Sequence, residues 1–250
     1  MATSRNSSWR GTLSVNRVTT DMKISASFNR SVNVSSFTIL DETIDRSTRN
    51  WKFGGLVVKS LGEHWSAGGW AAASSSTYSN EDYSIRVAPA IEYNVFPYSQ
   101  ATRKSLCFLY RLGWGYYKYL EETIFSKTRE TLWSHSLTAS LDLTQPWGSA
   151  SASIQASQYL HDLSKNRLSV YGYTSIRVWK GLSVNLNGGF SMIHDQLSLV
   201  KGSLSQEEVF LRLRELSATF NYYLSFGIGY TFGSSLIRAV NPRFGDSGYY

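Results

Sequence analysis

The sequence predicts an all-β fold: one antiparallel, up-and-down β-barrel domain of about twelve strands over residues 1–250. Three observations predict it. Apolar and polar residues alternate with a period of two in window after window. No window sustains the 3.6-residue period of an amphipathic helix. Short turns and longer loops take turns between the alternating segments, the rhythm of strands that run up and then down.

The clearest segment is a hairpin. Leu137, Ala139, Leu141 and Leu143 alternate with Ser136, Thr138, Ser140 and Asp142. Gln145-Pro146-Trp147-Gly148 turns the chain, and Ala150, Ala152, Ile154 and Ala156 then alternate with serines and Gln155. Successive strand side chains point to opposite faces, so each strand has one apolar and one polar face.

Taken in order, Trp9–Val18 and Met22–Phe28 read as the first two strands, joined at Thr19-Thr20-Asp21. The alternation drifts over Arg30–Leu40, and the charged stretch Asp41–Asn50 reads as a longer loop. Trp51–Leu61, Trp65–Ala73, Ile85–Val95 and Leu106–Tyr116 follow as strands three to six. Pro89 falls inside the fifth. It cannot donate a ladder hydrogen bond, so it marks an edge, a bulge or an opening in the register. After the hairpin come Leu168–Val178 and Leu182–Met192, turned at Lys180-Gly181. The longest loop runs from about Asp195 to Glu208. Leu216–Tyr222 and Leu224–Phe232 complete the set.

The decisive question is which face meets which solvent. A soluble barrel fills its inside with large branched side chains that interlock. Here the polar face is rich in Ser, Thr, Asn and Gly, which suits water or hydrogen bonding. The apolar face mixes Leu, Ala, Val and Phe with no dominant size, as lipid contact requires. Trp and Tyr gather near strand ends, among them Trp51, Trp65, Tyr83, Tyr93, Trp133, Tyr159, Trp179 and Tyr222, where membrane girdles would place them. The expectation is therefore a transmembrane barrel with lipid outside and water inside. A soluble β-barrel that binds a ligand in an apolar interior is the alternative.

Composition narrows the function. The net charge is +7, but Lys and Arg are scattered rather than clustered, which argues against nucleic acid as a partner. The single Cys107 allows no internal disulfide and no Cys-only metal site. No phosphate-binding Gly-rich loop, HExxH or nucleophile elbow is present. The N-terminus has no apolar signal-peptide core, so an exported protein of this kind is expected to have lost an upstream region.

Several stretches carry a resemblance: SLGEHWSAG (Ser60–Gly68), PAIEYNVFPYSQATRKSL (Pro89–Leu106), EETIFSKTRETLWSHSLTASLDLTQPWGSASAS (Glu121–Ser153) and NPRFGD (Asn241–Asp246). In these the chain resembles a family of uncharacterised, porin-like bacterial outer-membrane β-barrel proteins. The resemblance implies residence in the outer membrane. It also implies contact with the lipid bilayer and lipopolysaccharide, and passage of small solutes. It brings no catalytic motif, cofactor or metal.

Two groups of residues are candidates for a site. Arg86, Glu92, Arg111, Asp142 and Arg177 fall on the polar, lumen-facing side by alternation, with Tyr117, Tyr171, Tyr173 and Trp70. The charged ones either set the charge selectivity of a pore or pair into a plug. His161-Asp162 and His194-Asp195 fall where strands run into longer loops on one rim. Rim His and Asp could activate water, as an outer-membrane hydrolase or protease would need. Two strands apart, however, they start roughly 10 Å from each other, and solvated loop residues are the plainer reading.

Overall fold

The computed structural model describes residues 3–39, 42–201 and 220–232. Among them eleven strands form one antiparallel sheet in which every strand neighbours the next in sequence. They are β1 (Thr3–Val18), β2 (Met22–Ile39), β3 (Glu42–Ser60), β4 (Trp65–Ser76), β5 (Glu81–Asn94), β6 (Lys104–Tyr119), β7 (Arg129–Gln145), β8 (Gly148–Tyr159), β9 (Asn166–Trp179), β10 (Leu182–Ile193) and β11 (Phe220–Tyr230). Among the described residues the one helical piece is a 3-10 turn at Tyr98–Gln100. No helix among the described residues is long and apolar enough to cross a membrane, which says nothing of strands.

Turn chemistry sets the register. Pro146-Trp147 closes the β7–β8 hairpin, pairing Gln145 with Gly148. Lys180-Gly181 closes β9–β10, and Gly181 adopts φ +80°. A Cβ there would lie 2.1 Å from the Thr231 carbonyl oxygen, so only glycine fits. At β1–β2 the Thr19 hydroxyl accepts from the Met22 N–H at 3.0 Å, capping a three-residue turn. The fifth strand keeps Pro89 in its middle. Against β4 the ladder continues through Gly69 and Pro89. Against β6 it pairs at Val87 and again at Ala90, with an opening between. Pro89 has no N–H to give on that side, which accounts for the opening.

Two expectations change. Glu42–Asn50 is strand where a loop was expected, because β3 begins at Glu42 and pairs with β2 up to Ile39. β4 joins β3 only from Asn50, so this hairpin and the start of β1 stand clear of the neighbouring strands. The final two predicted strands are also not separate, since β11 runs unbroken from Phe220 through Tyr222 and Leu224 to Tyr230. Leu216–Thr219 and the second half of the Asp195–Glu208 loop lie outside the described residues.

Burial settles the sidedness. On β5, Ile85, Val87 and Ile91 at odd positions are exposed, whereas Ser84, Ala88 and Asn94 at even positions are buried. Large apolar side chains are exposed on every strand from β1 to β11; on β4 the one is Trp65, and the rest of its outward face is mostly Ala and Gly. The most deeply buried side chains of any size are Asn94, Thr123 and Ser84, all polar. A flat sheet would expose both faces alike. The sheet is therefore curled with its polar face inward.

Candidate functional site

The inner face is built by alternation, and the pairings fix who meets whom. Arg86 stands opposite Gly115, Ala90 opposite Arg111, Glu92 opposite Leu109, and Arg111 opposite Ser136. Asp142 pairs with Ser105 on one side and Ser151 on the other. Arg177 stands opposite Ser183 near the β9–β10 turn and is exposed. All five charged residues share the polar face.

The fold brings three of them together. Arg86 donates from Nη2 to Ser74 Oγ at 3.0 Å and lies 5.6 Å over the Trp70 ring. Arg111 borders two adjoining cavities, one of about 450 Å³ shared with Glu92 and one of about 150 Å³ shared with Arg86. Glu92 accepts from other donors and makes no ion pair among the described residues. The Tyr98 hydroxyl reaches it at 3.1 Å and also lies 3.1 Å from Ser66 Oγ. Burial, foremost, raises the Tyr98 hydroxyl above its ordinary 10.0, so it remains a donor at neutral pH. Asp142 lies elsewhere, in a cavity of about 300 Å³ beside Tyr171, Tyr173 and Tyr223.

The rim residues do not converge. Asp162 accepts from the Ser164 backbone N–H at 3.0 Å and its hydroxyl at 2.7 Å, closing its own loop. Those bonds, the hydroxyl first, hold its carboxylate below the ordinary 3.8. Asp195 pairs with Arg167, Nη2 to Oδ1 at 2.8 Å and Nε to Oδ2 at 3.0 Å. His161 packs against the Tyr159 ring at 5.7 Å, and His194 meets Asn166 at 3.3 Å. No group of three His, Cys, Asp or Glu among the described residues could hold a metal ion.

Two further features stand outside the predicted site. Lys23, on the polar face by alternation, and Lys52 also face inward, opposite Val58 and Asn29. On the rim, the β6–β7 and β10–β11 loops meet. Thr123 bridges Val200, and the Ile124 N–H donates to the Leu199 carbonyl at 2.9 Å. Thr123, Ile124 and Leu197 are buried there. Four strands separate these loops in the chain, so no local pattern could reveal their contact.

Together these features define a class: an antiparallel up-and-down β-sheet with an apolar outer face and a polar, partly cationic inner one. No family model and no curated protein matches the chain. Among solved structures it is similar to the NanC porin in a rhombohedral crystal form. The identity is 7% and the TM-score 0.41, with 90% of this chain and 99% of that chain covered. At that distance the likeness adds nothing to the strand ladder itself.

Proposed function

We propose that the chain is a bacterial outer-membrane β-barrel that acts as a porin-like passive channel, without catalysis. One observation supports this above others: the exposed apolar band is bounded by aromatic rings at a membrane's spacing. On β5, Tyr83 and Tyr93 flank Ile85, Val87, Pro89 and Ile91 on the outer face. Ten residues separate the two tyrosines, roughly 34 Å along a strand. Tilted by about 45°, that spans about 24 Å of bilayer, close to the apolar height of outer-membrane barrels. Trp65 and Trp179 lie at one margin, Trp51 and Trp133 towards the other, all exposed. A protein with this surface needs lipid as its partner, with lipopolysaccharide at the outer leaflet.

The inner face then lines the channel. Arg10, Lys23, Lys52, Arg86, Arg111, Arg167 and Arg177 outnumber Glu81, Glu92, Glu130 and Asp142 on it, which favours anions. A structural barrel with an occluded lumen is the second reading. It is favoured by the tied loops at 120–128 and 194–201 and by the inward Tyr171, Tyr173 and Tyr223. The rim His and Asp residues each have separate partners, which lends no support to a hydrolase.

Planar-bilayer recording separates the two. Steady steps whose reversal potential favours chloride over potassium are expected of the channel, and silence from folded protein would leave the occluded barrel. Protein that stays monodisperse without detergent would refute the membrane reading altogether.

A further inference from the structure

We infer that Arg86 and Arg111 form a binding site for a small monocarboxylate with a compact apolar body. Both residues border the inner cavity of about 150 Å³, between β5 and β6 where Pro89 opens the ladder. Each guanidinium has a buried Nε–H with no partner among the described residues. A buried, unpartnered charged donor costs free energy until an acceptor arrives. Neither arginine takes part in an ion pair among the described residues, and no carboxylate borders this cavity. Two guanidinium groups that border one small space suit a carboxylate, which can accept from both.

The space is kept open by sequence. A Cβ on Gly113 would come within 2.7 Å of Ser134 Oγ, and one on Gly115 within 2.7 Å of the Tyr117 ring. Both side chains border the cavity, so the glycines let a hydroxyl and an aromatic ring settle beside it. Next to it lies the cavity of about 450 Å³, which shares Trp70, Ala88 and Arg111 with the smaller one. Its wall adds Leu56, Val58 and Leu109. An anionic head at the arginines would therefore place an apolar body against Trp70 and these aliphatic groups. Inorganic phosphate would satisfy the guanidinium groups and leave the apolar wall unused.

The inference rests on the channel reading only in needing the inner face to be reached from water. Titration calorimetry on the full chain folded in detergent micelles tests it, with sodium benzoate, acetate, inorganic phosphate and neutral benzamide as probes. Benzoate is expected to bind one per chain, acetate and phosphate more weakly, and benzamide not at all. Arg86→Gln and Arg111→Gln should each weaken benzoate about tenfold or more, the loss of a charge-assisted hydrogen bond. Arg103→Gln, which removes the same charge in the β5–β6 turn, should leave binding unchanged. Folding of each variant is checked by circular dichroism. The ranking of probes on the unaltered protein stands even if a variant fails to fold. Benzamide matching benzoate, phosphate exceeding it, unchanged affinity in both folded variants, or no heat from folded protein would each overturn the site. Failure of the channel reading shows separately, as solubility without detergent, and leaves this titration interpretable.

Discussion

Single residues hold the rim in place, and each does so through a nameable force. Asn80 adopts φ 58° and is buried between the β4–β5 turn and the β6–β7 loop. Its side-chain amide donates to the Glu121 carbonyl and accepts from the Glu121 N–H, both at 2.9 Å. Asn tolerates this left-handed conformation better than most residues. Asn80→Ala should therefore destabilise by about 1–3 kcal/mol, from two orphaned backbone groups and added strain. Urea unfolding followed by Trp fluorescence would measure it. Asp162 offers a pH test. Its pKa is lowered in the folded loop, so its contribution is present above the ordinary 3.8 and fades as pH falls through the depressed value. The Ser164 amide should accordingly exchange faster below about pH 3.8 and show no such step in Asp162→Asn.

Strands carry the next level, where a side chain's worth depends on its face. Val87 sits midway between the two tyrosines on the outside of β5 and is exposed. In a bilayer, Val87→Arg should cost about 2–4 kcal/mol, the depth-dependent penalty for a cation at the midplane. Ser151→Arg, on the inner face beside Asp142, should cost far less. Equilibrium unfolding in lipid vesicles compares them, and equal costs would argue that the outer face does not meet lipid. The same logic explains what could be read at this scale. Alternation in the β7–β8 hairpin was legible because one of its faces is apolar and the other polar. Across Asp41–Asn50 the sequence is polar at odd and even positions alike, and the strand there went unseen. Strand pairing runs through backbone groups, so it persists where the period-two signal vanishes. Tyr222 and Leu224 suggested a break in β11, yet they keep the same phase and belong to one strand.

The whole molecule is organised inside out, with polar groups sequestered and apolar ones displayed. Its loops then decide how open the inside is. The Glu122–Lys201 pair, at 3.4 Å, is well exposed on both sides, so Lys201→Ala should change stability by less than about 1 kcal/mol. Ile124→Asp, in contrast, places a charge in the buried contact with the 194–201 segment. It should release the two loops, and single-channel conductance should rise. Unchanged conductance in a folded Ile124→Asp protein would mean these loops do not restrict the path.

Sequence by itself determined the strand class, the placement of Arg86, Glu92, Arg111, Asp142 and Arg177 on one face of the sheet, and the turns at Pro146-Trp147 and Lys180-Gly181. These follow from neighbours in the chain: side-chain alternation is a property of one strand, and turn residues act over two to four positions. Tertiary structure alone decided that Arg86 and Arg111 share a cavity while Asp142 and Arg177 stand apart. It alone decided that His161, Asp162, His194 and Asp195 find separate partners, and that Thr123 meets Val200. Such contacts depend on the register between strands and on the curl of the sheet. Both arise from the sum of all the pairings, and no local stretch of sequence encodes them.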